Sequence, residues 1–148
     1  MITDLLVEPS PQDLGQVRSR LAAELPAPLP DSFTRWLAIH GGSSVRPPIR
    51  MPDDGGSAEL ASFFTAGEIV SNYRGLSGGV SEVIPLEFVL VGQGRGGGVC
   101  LNLSPADYGS VWFADFALAV RILPDDDTRS PDIMFRLFDD WDAFLAFR

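Results

Sequence analysis

Apolar residues along the first forty positions recur at helical spacing. Leu14, Val17 and Leu21 follow Ser10, Pro11 and Asp13, which read as an N-cap, a proline at the first helical position and an acidic first turn. A helix is expected to about Glu24. Leu25 then precedes Pro26-Ala27-Pro28-Leu29-Pro30, where the prolines lack amide donors and restrict the residues before them, so a stiff connector follows. A second helix is predicted from Asp31 or Ser32, with Phe33, Trp36 and Leu37 on its buried face and Gly41-Gly42 as a left-handed end.

Beyond it the pattern changes period. Pro, Gly and Asp residues from Ser43 to Gly56 predict a loop with a short extended piece near Val45. Leu60 to Phe64 reads as extended, and Thr65 with Glu68 forms a capping box for a short helix carrying Ile69, Val70 and Tyr73, which Gly75 to Gly79 ends. Strands are predicted at Phe88–Val91, Val99–Leu103, Val111–Phe113, Leu118–Leu123 and Ile133–Leu137. Their short connections favour antiparallel pairing. Asp139 is expected to cap a last helix with Trp141, Phe144 and Leu145 on one face. The sum is an α+β fold, a mainly antiparallel sheet packed with helices from both ends of the chain.

Composition narrows the function. The 148 residues fit one domain spanning 1–148, and 45% hydrophobic content supports an ordinary core. Asp and Glu number 20 against 11 basic residues, every one an arginine, for a net charge of -9. Such a field repels phosphate backbones, and the arginines form no basic stripe, so nucleic acid is not an expected partner. The same field attracts a basic protein and speeds its approach. Met1 to Ser10 lacks the positive region of a signal peptide, and no apolar stretch is long enough to span a membrane, so a cytoplasmic protein is expected. Cys100 and His40 are each the sole residue of their type, which excludes an internal disulfide and a Cys/His zinc cluster.

Several patterns that imitate catalytic motifs fail on context. Gly92-Gln93-Gly94-Arg95-Gly96-Gly97 matches the dinucleotide-binding spacing, but a strand follows where a helix must open, so a flexible hairpin loop is expected and no cofactor. Gly75-Leu76-Ser77-Gly78-Gly79 fits the nucleophile elbow, yet a helix precedes it instead of a strand, and His40 comes before the serine. A Cys100–His40 dyad gives way to a small sheet residue and a histidine favouring a helix end. Asp125-Asp126-Asp127 lacks the glycine and glutamate of a calcium loop, since Ser130 and Arg136 stand there, so no metal is expected. Asp139, Asp140 and Asp142 read as helix-capping carboxylates, and Trp36 and Trp141 as core. No catalytic residue emerges.

The order of signals carries more than any one of them. Leu29-Pro30-Asp31, Phe33, Trp36-Leu37 and Gly41-Gly42 precede Ile84-Pro85, Leu101-Asn102-Leu103 and Asp107-Tyr108-Gly109-Ser110-Val111-Trp112. With the closing segment Phe138 to Leu145, this series resembles the SUKH superfamily, which includes fungal Smi/Knr-type cell-wall assembly regulators and bacterial toxin-immunity proteins. His40 departs from the family's frequent asparagine. The resemblance implies a bacterial immunity protein that neutralises a cognate toxin, often a nuclease or other nucleic-acid-modifying effector, with a regulatory scaffold as the alternative. Acidity adds a toxin with a basic surface as partner. The expected partner-binding residues are Asp53, Asp54, Asp125, Asp126 and Asp127, dense negative sites in loops.

Overall fold

A computed structural model describes residues 1–51, 58–77, 83–122 and 130–147. A 3-10 turn at Ile2–Leu5 leads into β1 (Leu6–Val7), then α1 (Leu14–Glu24), α2 (Asp31–His40), β2 (Ser44–Arg50) and β3 (Glu59–Phe63). Next come α3 (Ala66–Asn72), a π-helical turn at Tyr73–Ser77, β4 (Phe88–Gly94), β5 (Gly97–Asn102), β6 (Val111–Asp115), α4 (Phe116–Ile122), β7 (Met134–Phe138) and α5 (Trp141–Ala146). The strands form a 7-stranded sheet in chain order, β1 to β7, with every neighbouring pair antiparallel. This is the expected α+β architecture.

Register assigns the faces. Phe63, Gly92, Val99, Phe113 and Phe135 lie opposite one another across β3 to β7. Phe63 meets Trp36 of α2 at 4.8 Å between ring centroids and Trp141 of α5 at 5.9 Å, so this row faces those helices. The alternate row, Leu90, Cys100, Trp112 and Arg136, therefore points to the other face. A cluster of buried apolar residues runs from Ile2 to Leu145 and includes Trp141, Phe144 and Leu145, as the apolar face of the last helix predicts.

Local chemistry explains the boundaries. The Thr65–Glu68 capping box forms, with Thr65 N–H donating to Glu68 at 2.9 Å and Glu68 N–H to Thr65 Oγ1 at 3.2 Å. The first helix starts later than Ser10 suggests. Asp13 is its cap, accepting from Gln16 N–H at 3.1 Å, while Ser10 and Gln12 donate their backbone N–H groups to Gly41 and Ala38 at the end of α2. The left-handed residue after α2 is Gly42, with φ +79°. The segment expected as a loop near Val45 forms the longer β2, whose Pro47 and Pro48 sit where the register with β3 shifts.

Further expectations are corrected. Gly92 to Gly97 is not a flexible loop: β4 runs through Gly94, β5 starts at Gly97, and the turn is only Arg95-Gly96. Glycine is needed at 94 because a Cβ there would run into the Glu59 carbonyl. Leu118 to Ile122, predicted as part of a strand, lies in α4, where the buried Asp115 accepts from Leu118 N–H at 2.9 Å and caps the helix. The cap of α5 is Asp140, which accepts from Ala143 N–H at 2.8 Å, and not Asp139, which pairs with Arg136. No helix among the described residues is long and apolar enough to cross a membrane.

Candidate protein-interaction surface

Segments distant in sequence converge at one rim of the sheet. Gly109, at φ +86°, lets the chain reverse between β5 and β6, and its N–H donates to the Asn102 carbonyl at 2.7 Å. Behind that turn lies Ser110, fully buried. Its Oγ sits 2.9 Å from both the backbone carbonyl and Oδ2 of Asp107, and it accepts the Trp112 indole N–H at 2.7 Å. Arg136 of β7 grips the same carboxylate, Nε to Oδ2 at 3.1 Å and Nη2 to Oδ1 at 2.9 Å, and reaches Asp139 at 2.7 Å. The hydrogen bond from Arg136, then that from Ser110, holds Asp107 below the usual carboxylate range, and the carboxylates in turn raise Arg136.

Two tyrosines tie this rim to the helices. Tyr108 donates its hydroxyl to the Pro28 carbonyl, joining residues 80 positions apart, and burial raises its pKa although 46% of its surface stays exposed. Tyr73 donates to the Leu86 carbonyl at 3.1 Å, and Leu86 is also exposed. Leu103 N–H donates to Glu87 O at 2.7 Å, which sets the exposed Leu86-Glu87 turn beside the end of β5. Arg74 pairs with Glu24 at the end of α1. Pro28, Leu86 and Tyr108 are thus rigidly held apolar groups at the surface.

Beside the connector, α1 and α2 open a groove of about 340 Å³. Buried Leu21, Leu29 and Thr34 lie under it, and Arg18, Ala22, Pro28 and Asp31 border it at the surface. Asp31 accepts from Arg18 Nη2 at 2.6 Å on one oxygen and from Arg35 Nε at 2.7 Å on the other. These contacts, the Arg18 hydrogen bond foremost, lower its pKa. Ion pairing elsewhere engages Arg46, Arg74, Arg95 and Arg136, whereas Glu87, Asp132 and Asp142 stand exposed. Among the described residues Arg20, Arg50 and Arg121 are exposed as well, so unpaired charge of both signs reaches the surface.

The partner-binding residues expected from sequence, Asp53, Asp54, Asp125, Asp126 and Asp127, lie outside the described residues. The rim network of Asp107, Ser110 and Arg136 and the groove were not anticipated; among their residues, the Asp107 to Trp112 run entered only as part of the family resemblance, and Asp31 only there and as a helix start. The imitation motifs are absorbed by the fold. The glycine motif is hairpin backbone, and Ser77 closes a π-helical turn that follows a helix, where a nucleophile elbow needs a strand. Cys100 faces away from α2, its thiol pKa raised by burial, while His40 rests against Trp36 at 5.3 Å with its own pKa lowered by burial. The sheet stands between them. Among the described residues no group of His, Cys, Asp or Glu is arranged to hold a metal ion.

A family model described as SMI1 / KNR4 family (SUKH-1) matches residues 9–146. No curated protein matches the chain. The match takes in α1, both sides of the groove, and all the segments that meet at the rim.

Proposed function

This chain belongs to the SMI1/KNR4 family (SUKH-1), and on that footing we propose that it is a bacterial immunity protein that binds and neutralises a cognate toxin. The toxin presents a basic surface and acts as a nuclease or another nucleic-acid-modifying effector. The observation that carries this reading is the charge, a net of -9 from 20 acidic and 11 basic residues. An acidic inhibitor covers a cationic cleft and is drawn to it by long-range attraction. On this reading the chain acts in the cytoplasm by stoichiometric binding and not as an enzyme, and Asp53, Asp54 and Asp125 to Asp127 contribute contacts to the toxin.

Co-expression with the toxin encoded beside it tests the proposal, followed by binding kinetics at several salt concentrations. Protection and a stable complex are expected, with association slowing as salt rises past about 0.15 M, where screening acts within roughly 8 Å. Neutralising the acidic clusters should lower the association rate first. Full toxicity in the presence of abundant folded protein, with no complex, removes the immunity assignment.

A further inference from the structure

We infer that the groove between α1 and α2 seats a protruding loop of the toxin, taking one apolar side chain over Leu21 and Leu29 and an adjacent carboxylate onto Arg18 and Arg35. This rests on the immunity reading and deepens it by assigning a docking point and the chemistry that fits it. At about 340 Å³ the groove has room for a large anchoring side chain together with part of the loop that carries it.

Charge selects the neighbour of that anchor. One carboxylate, Asp31, is shared by two guanidinium groups, Arg18 using Nη2 and Arg35 using Nε. Each guanidinium carries five N–H donors, so both keep donors for a further acceptor. The mouth therefore carries one positive charge in excess, counting Arg18 and Arg35 against Asp31, opposite in sign to the chain's net of -9. A basic toxin steered by the acidic field would be registered here by one of its own acids, since a misplaced carboxylate meets repulsion elsewhere.

The groove is also stiff. Its Pro28 wall belongs to the proline connector and is pinned by the Tyr108 hydroxyl, and Thr34 Oγ1 donates to the Pro30 carbonyl at 3.1 Å. Little ordering remains to be done on binding. Asp31, Arg35 and Ile39 recur every four residues along α2, and Ile39 is 60% exposed, so the apolar contact continues one turn beyond the charges.

The experiment measures binding of the adjacent gene's toxin to the full chain and to Ala22→Phe, which fills the groove, Arg35→Glu, which reverses its mouth, and Val120→Ser, a change at an exposed position of α4. Thermal melts check folding. Ala22→Phe should weaken binding by about 30-fold or more through faster dissociation and Arg35→Glu by about tenfold, with Val120→Ser unchanged. Folded groove variants that bind as tightly as wild type overturn the docking site and leave the immunity reading standing. Should Ala22→Phe fail to fold, Arg35→Glu alone decides, because its side chain lies at the surface. A wild-type chain that forms no complex overturns the immunity reading and this inference together.

Discussion

The three tryptophans divide the molecule into two regions held together differently. Trp36 and Trp141 sit in the aromatic layer between α2, α5 and the sheet, 5.1 Å apart at 68°, and neither buried indole N–H has an acceptor among the described residues. Trp112, at the rim, is less buried yet its N–H reaches Ser110 at 2.7 Å. The inner pair is held by area and ring geometry, with Phe33 edge-on to Trp141 at 4.7 Å. The rim is held by directed hydrogen bonds that end on Asp107 and Arg136. The packed layer depends on its volume being filled and has no hydrogen bond at these indoles to lose, whereas each member removed from the polar network leaves a partner unsatisfied.

Substitutions can break this contrast. Phe144→Ala, in the aromatic layer, should have the largest effect, about 3–5 kcal/mol in a denaturant melt, and an unchanged midpoint would show that the layer is not the core. Ser110→Ala is expected to cost about 1–3 kcal/mol because it strands the Trp112 N–H and removes a donor from Asp107. A double-mutant cycle of Ser110→Ala with Trp112→Phe should show coupling of at least about 0.5 kcal/mol; strict additivity would deny the network. Trp141→Phe should lose less than about 1.5 kcal/mol, since the N–H it removes has no acceptor among the described residues to forfeit. A cost above that of Ser110→Ala would reverse the comparison.

The subtlest test uses pH. Asp107 is held below its ordinary pKa in the folded protein, so its ionised form stabilises the fold at pH values above the ordinary one. That contribution disappears as pH falls through the folded-state value. The stability gap between wild type and Asp107→Asn should thus be level at neutral pH and close below about pH 4. A gap that persists unchanged in acid would place the stabilisation outside this carboxylate.

Features set by neighbours in sequence were legible, and those set by distant chain segments were not. The capping box at Thr65 and the apolar face of α5 could be read directly. The α4 segment was misread because a short apolar run fits strand or helix equally; Asp115, three residues before the N–H it caps, was the available signal. The glycines of β4 and β5 looked like slack, whereas Gly94 is required by the closeness of β3, which no local pattern reports. The rim is illegible for the same reason, since Tyr108 and Pro28 meet only after folding. Asp31 was read as a helix start, and its bridging of two arginines depends on where α1 comes to lie.

Among the described residues, a sheet laid down in chain order has two border strands, and β7 is one of them. Its sequence, Met134-Phe135-Arg136-Leu137-Phe138, is the kind of short apolar strand that templates edge-to-edge aggregation. Arg136 interrupts that run at its centre, and its carboxylate partners Asp107 and Asp139 surround the charge. The residue that locks the rim also acts as a gatekeeper, placing a charge where a second copy would have to add its strand.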